Sequence, residues 1–399
     1  MVVKLRDKLS LDDSNSIKII VTGDLCPINN VEKFYFSNKE RLSDLYGDLL
    51  PILQDKDLSL TNLESPLTNE TNKLKKVGPC LKAKPESINI LKAGDFDVVC
   101  LANNHILDYK KEGVKDTLNL IQLNKMECLG AGMNSKEASK ALIIERKEKK
   151  IAILNYAEEE FSIAGLNSAG ANPFDIIKVY NDIIEIRKTT SIIIVIIHGG
   201  IEGYNLPSPE FKKKLHFIAG LNPTAILCHH THMYSGYEIL TDTPVFYSLG
   251  NFIFDYGENK SIDWNEGYIV KLEVGLESEK VNSFEIIPYR QNYNKIGLEK
   301  LNQIELERFY NKLSILNKTI ANNNKLEEAF YNYVKKNGLG RLSFILNKNL
   351  YFRRAYKYIF PFKFIINYLH NLVAIYGVIN SDSHREILQR YLLEEEIRK

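Results

Sequence analysis

Ile192 to Ile197 form an unbroken apolar run in TSIIIVIIHGG, and such a strand cannot lie on a sheet with one wet face. A half-exposed strand alternates apolar and polar residues, so a run without alternation is covered on both sides. IKIIVTGD, FDVVCLANNH, KKIAILNYA and PTAILCHHTH repeat the pattern in shorter form. Between them lie segments of helical character: PESINILKAG, with Pro85 near its first turn and Gly94 at its stop, then KEGVKDTLNLIQLNK and SPEFKKKLHFIAG. LSDLYGDLLPIL is helix-like but interrupted by Gly47 and Pro51, and DLSLTNLESPL is an extended segment stopped by Pro66. TPVFYSLGNFIF reads as one further strand and turn. The alternation from Ile17 to about Val274 predicts an α/β class in layers of helix, sheet and helix.

After about residue 298 the character changes. LEKLNQIELERFYNKLSILNKTIANNNKLEEAFYNYVKKNG holds no strand candidate, and HREILQRYLLEEEIRK is an amphipathic helix. The expected division is therefore a domain over residues 17–298 and an all-helical C-terminal module over 299–399. The stretch LYFRRAYKYIFPFKFIINYLHNLVAIYG sets Arg353, Arg354, Lys357 and Lys363 among aromatics. It reads either as an interfacial membrane anchor or as helices packed on the first domain or on a second subunit, with packing preferred.

Composition narrows the function classes. A formal charge of +2 on 399 residues lacks the cationic excess of a nucleic-acid binder, and no nucleic-acid motif is present. No apolar run reaches the roughly 18 residues needed to span a bilayer, and the first residues lack the apolar core of a signal peptide. Five cysteines without a CxxC pair, two of them in apolar strand runs, suit a reduced compartment. The expected location is cytoplasmic or peripheral to the membrane.

The chemistry concentrates just past the strand ends. Asp24 follows IKIIVTG; Asn62 and Glu64 lie in LTNLE; Asn104 and His105 follow VVCLA; His198 follows IIIVII; and His229, His230 and His232 follow AILC. Open α/β sheets bind ligands outside the carboxyl ends of their strands, so five segments deliver side chains to one rim. Each residue also has a plain structural role. Asp24 suits a turn or cap, Glu64 and Asn103 or Asn104 could satisfy loop backbone, and His198 could be a core histidine. Three histidines in HHTH, out of eight in the chain, are harder to assign to chance. Two carboxylates, a carboxamide and three or more imidazoles suit Mn, Zn or Fe rather than Mg or Ca. A shared carboxylate between histidines can hold two such cations about 3.5 to 4 Å apart, as in phosphoester hydrolysis. The spacing of His230 and His232 puts both on one side of an extended segment, or lets them diverge in a turn.

VTGDL, LTNLESPL, LANNHILDYKKEGVKDTL, HGGIEGY, CHHTH and PVFYSLGNFIFD occur in the order seen in the CapA family of capsule synthesis and poly-γ-glutamate biosynthesis proteins. The resemblance covers about Ile17 to Asp255 and implies a calcineurin-like metallophosphoesterase fold, a layered sheet sandwich flanked by helices. It implies Asp24, Glu64 and His232 as ligands of a first divalent cation, with Glu64 bridging to a second held by Asn104, His198 and His230. His105 then resembles the imidazole that protonates the leaving group, and Asp108 the carboxylate that orients it. Asn103 and His229 become neighbours of the ligands, and Asn251 a brace for the histidine loop. Three positions depart from the pattern. Cys26 stands where the wider superfamily often has His, leaving the first cation one ligand fewer or a thiolate; Gly199 replaces a usual Trp, and Cys228 a usual Gly.

The function expected from this set is hydrolysis of a phosphoester, or of a related acyl or amide bond, in an anionic polymer or phosphoester substrate, using one or two divalent cations. The alternative is a non-catalytic polymer-binding assembly factor for capsule or polyglutamate production, because a fold does not dictate a reaction.

Overall fold

The computed structural model describes residues 1–5, 16–76, 78–255, 261–292, 295–346 and 381–397. In the first sheet, β1 (Ser16–Cys26), β2 (Leu58–Leu63) and β3 (Val98–Cys100) run parallel. In the second, β4 (Lys149–Ala157), β5 (Ile192–His198), β6 (Ala225–His229) and β7 (Thr243–Phe246) also run parallel. The chain then returns to the first sheet. There β8 (Asn251–Phe254) lies parallel to β1, and the long antiparallel pair β9 (Glu266–Gly275) and β10 (Val281–Gln291) flanks it.

The residues of β1 show why unbroken apolar strands were needed. Ile17, Ile19 and Val21 join one core, which also holds Ile192 to Ile197 of β5, while Ile20, Leu25 and Cys26 join the other. The second core contains Ile88, Ile90 and Leu91 of the helix Ile88–Ala93, and Val114 and Ile121 of α1 (Lys110–Leu123). The first core also takes Val179 and Ile183 of α2 (Ile176–Ile186) and Leu215 and Ile218 of α3 (Pro209–Gly220). Alternate side chains of a strand point to opposite faces, so every central strand is covered twice. The layers are helix, sheet, sheet and helix. Periodicity in the residues suggested one sheet; there are two large ones and a two-stranded ribbon, and TPVFYSLGNFIF supplies a strand to each large sheet, β7 in one and β8 in the other, where one strand and a turn were expected.

The change of character near residue 298 does not divide the core. Leu298–Lys300 still pairs with β10, and α4 (Gln303–Ala321) starts at a capping box of Asn302 and Glu305. Its buried stripe Phe309, Leu313, Leu316 and Ile320 enters the first core. So do Phe330 and Val334 of α5 (Asn323–Leu346) and Ile387 of α6 (Asp382–Ile397). Helix α6 is also tied to α3 by Lys214 Nζ, 3.2 Å from Asp382, and to the residue preceding α3 by Ser208 donating to Glu386 at 2.6 Å. The aromatic and basic stretch at 350–377, read as an anchor or packing helices, lies outside the described residues. No helix among the described residues is long and apolar enough to cross a membrane.

Candidate metal centre

Parallel register brings the strand ends level. Asp24 pairs with Asn62 of β2 and Asn251 of β8, while His198 pairs with Ala157 of β4 and His229 of β6. A shift in register between Val21 and Asp24 turns the end of β1. Gly23 is required there, because a Cβ would lie 2.0 Å from the Gly250 carbonyl oxygen, and that carbonyl accepts from Asp24 N–H at 3.0 Å. Glu64 is held beside the same strand by its N–H to Leu25 O at 2.9 Å.

The side chains converge as two overlapping groups. Glu64, His198 and His230 offer ligand atoms within 4.8 Å of one another, and Asp24, Glu64 and His232 do the same. Glu64 belongs to both, with Oε1 3.6 Å from His198 Nε2 and 3.5 Å from His232 Nε2. Asn104 joins the first group, its Oδ1 3.2 Å from His198 Nε2, and His230 Nδ1 lies 3.1 Å from the same nitrogen. The loop after β6 splits the HHTH histidines. His230 and His232 both take positive φ, 93° and 59°, a conformation that non-glycine residues adopt only where surroundings enforce it. They therefore diverge in a turn, one to each group.

Supporting contacts select the imidazole tautomer. Asn251 Oδ1 is 3.0 Å from His232 Nδ1, and Asn251 Nδ2 donates to His232 O at 3.1 Å, so Nε2 is the nitrogen left facing Glu64. The His232 ring is wedged between Phe254 and Trp264, with centroids 4.9 and 4.8 Å away. Asn62 Nδ2 donates to Asp24 Oδ1 at 2.7 Å, and His229 Nδ1 lies 3.1 Å from the same oxygen. Asn103 caps its own turn, donating to Leu63 O at 2.8 Å and accepting from His105 N–H at 3.1 Å. His105 Nδ1 is 2.6 Å from Asp108 Oδ2, an oxygen that also accepts from Leu81 N–H at 2.7 Å.

The ionisation of these groups follows from their burial. Glu64 is fully buried, and neither carboxylate oxygen has a hydrogen-bond partner. Burial, with Asp24, Glu202 and Glu160 nearby, pushes its carboxyl well above the ordinary range. A carboxylate so placed needs a proton or a cation. Burial also drives Asp24 upward, but the hydrogen bond and charge of His229 prevail and hold it well below the usual range. Burial and the neighbouring His230 depress His198 well below an ordinary imidazole, and burial depresses His232. Neutral imidazoles are the ligand form. His105 is depressed by burial and by Lys76, against the pull of Asp108.

Of the residues singled out at the strand ends, Asp24, Glu64, His198, His230 and His232 form the two overlapping groups, Asn104, Asn62 and His229 contact them, and His105 contacts Asp108 and Lys76. Cys26 joins neither ligand group; it is fully buried, and burial and the charge of Glu64 push its thiol well above its ordinary pKa. Gly199 packs against Glu158, where a Cβ would come within 2.7 Å of its Cγ. Besides Glu202, Lys76 and Glu160 are charged neighbours that were not anticipated. Lys76 is buried, ion-paired to Asp108 and 3.2 Å from His105 Nδ1. Glu160 has Oε1 3.6 Å from His230 Nε2. Glu160 follows the β4 strand NYA, so the strand-exit argument could have included it; nothing near Lys76 in sequence announces its partner 29 residues away.

The fold and this rim define an α/β sandwich with a buried carboxylate–imidazole centre at the carboxyl ends of its parallel strands. Residues 18–256 match the family described as bacterial capsule synthesis protein PGA_cap, and the chain belongs to that family. It is 28% identical over 270 residues to the PGA biosynthesis protein CapA of Bacillus subtilis (strain 168), covering 67% of this chain and 69% of that one. It is 26% identical over 262 residues to the capsule biosynthesis protein CapA of Bacillus anthracis, covering 63% of each, so the match spans less than two thirds of that relative. Solved structures similar to it include the calcineurin-like phosphoesterase YfkN from Bacillus subtilis, at 12% identity and TM-score 0.40, covering 79% of this chain and 98% of that one.

Proposed function

We propose that this member of the capsule synthesis family is a metal-dependent hydrolase of phosphoester or related acyl or amide bonds, acting on an anionic polymer or phosphoester. The observation that carries the reading is Glu64: a fully buried carboxylate, without a hydrogen-bond donor, set between His198 and His232 at nearly equal distances. Its fit to divalent cations is chemical as well as geometric, because oxygen and neutral imidazole donors together favour Mn, Zn or Fe. Asp24, Glu64 and His232 would hold one cation, and Glu64, Asn104, His198 and His230 a second. Divalent cations held there supply Lewis acidity and acidify water enough for attack near neutral pH.

The chain's own residues do the rest. Asn104 contributes an oxygen without adding negative charge. Asn251 and Asn62 fix His232 and Asp24, so little reorganisation accompanies binding. Asp108 holds His105 by Nδ1, which leaves Nε2 as the atom able to pass a proton to a leaving oxygen or nitrogen. The test is elemental analysis of the purified full chain, followed by turnover of bis(p-nitrophenyl) phosphate and of poly-γ-glutamate with Mn or Zn. One or two equivalents of transition metal with turnover of either substrate is the expected result. A chain that retains no metal, and gains no turnover when supplied with it, would overturn the reading.

A further inference from the structure

The loop 199–208 follows His198 directly and opens with two glycines. Glu158, the first residue beyond β4, grips them. Its N–H donates to His198 O at 2.9 Å and its Oε2 accepts from Gly200 N–H at 2.8 Å, so one buried residue holds the backbone on both sides of Gly199. A Cβ on Gly199 would lie 2.7 Å from Glu158 Cγ and 2.9 Å from its Cδ, which leaves no room for a larger residue. Gly200 takes φ +111°, a conformation that favours glycine. Gly199 N–H donates to His229 O at 3.2 Å, and Gly203 N–H to Thr231 O at 2.9 Å. The loop therefore ties the end of β5 to the segment that carries His230.

The far end of the same loop is held by the C-terminal helices. The buried ring of Tyr204 lies 4.2 Å from that of Tyr333 and 6.3 Å from that of Phe330, both on α5. Ser208 donates to Glu386 of α6 at 2.6 Å. Lys214, paired with Asp382 of α6 at 3.2 Å, also contributes positive charge to the surroundings of Glu158. Asp24 and His232 are fixed from other directions, by Asn62 of β2 and Asn251 of β8. The loop thus bears on His198 and His230, the two imidazoles of the second ligand group, more than on the ligands of the first.

We infer that Glu158 is a positioning residue for the second cation, and that α5 and α6 belong to the same support through Tyr204 and Ser208. This role presupposes the cation-binding reading of the centre but not turnover. The test is Zn titration calorimetry and Co(II) absorption on the chelator-treated full chain. It compares the wild type with Glu158→Ala, Glu158→Gln, Tyr333→Ala and the control Arg390→Ala, which cuts the α5–α6 pair of Arg390 and Glu327 instead. Glu158→Ala should weaken one binding step by roughly 10- to 100-fold and alter the Co(II) spectrum. Gln offers an amide oxygen to the same Gly200 N–H and should restore affinity to within about threefold of the wild type. Tyr333→Ala should weaken the same step by at least roughly threefold, and the control should match the wild type within about twofold. Urea unfolding checks that each variant is folded, and Tyr333→Ala carries the test should Glu158→Ala not fold. Wild-type affinity in Glu158→Ala, no recovery with Gln, or an equal loss in the control overturns the role of Glu158. Wild-type affinity in Tyr333→Ala removes the helices from the support. A wild type that binds no cation overturns the centre itself, and the support with it.

Discussion

Replacing Glu64 by Gln should move two properties in opposite directions. The side chain is fully buried, lies 3.5 to 3.6 Å from two imidazole nitrogens, and has no donor for either oxygen. Its raised pKa sets the sign. A carboxyl whose folded pKa exceeds its unfolded one lowers stability as pH rises above the unfolded value, so at pH 8 the metal-free native protein carries a burden that Gln removes. Each pH unit between the unfolded and the folded value costs about 1.4 kcal/mol, and Gln, which exchanges no proton, removes that slope from the metal-free chain. Cation affinity should fall, because both ligand groups lose their shared negative charge. Deleting one partner of a buried ionic contact costs about 3–5 kcal/mol, or roughly a hundredfold to several thousandfold in affinity. Urea unfolding of chelator-treated protein, with Mn or Zn titration calorimetry at pH 7.5, reads both quantities. If Glu64→Gln destabilises the metal-free chain and leaves cation affinity unchanged, Glu64 is a structural residue and the centre is misread.

Three further outcomes are expected. His105→Ala should lower turnover by about a hundredfold to ten-thousandfold with metal content unchanged, and in the native chain the rate should fall as pH climbs through the His105 pKa, which lies below the usual 6.5. Asn251→Ala frees His232 Nδ1 and should weaken one cation site by about 10- to 100-fold, visible as altered stoichiometry or Co(II) absorption. Glu158, whose carboxyl is pushed up to about 8 mainly by burial, should make stability decline between about pH 4.5 and 8. Glu158→Gln, followed by urea unfolding across that range, should flatten the decline by up to about 1.4 kcal/mol per pH unit.

The strand runs and the polar residues behind them were readable because both are local. An unbroken run such as Ile192–Ile197 must be covered on both faces wherever it lies, and a strand that ends in His198 must present that residue at its rim. The α/β class, the approximate positions of the parallel strands and the composition of the polar cluster at their ends therefore belonged to the sequence. So did the helical character of 303–346, whose capping box at Asn302 and Glu305 is a four-residue signal.

Tertiary structure decided everything that depends on distance between separate segments. Periodicity records that β1 is buried twice, but not that one cover is a second sheet and the other a layer of helices. Nothing in TPVFYSLGNFIF tells that the chain leaves one sheet at Phe246 and joins the other at Asn251. The helices after residue 300 look separable by composition, yet Phe309 and Phe330 fill the same core as Ile194. Likewise, HHTH announces histidines, while only the positive φ of His230 and His232 directs them to different partners. Lys76 reaches Asp108 and His105 across a loop, and Glu64 stands buried without a donor among Asp24, His198, His230 and His232 from other strand ends. Burial and electrostatics are sums over neighbours, and a sequence names those neighbours only once the chain has folded.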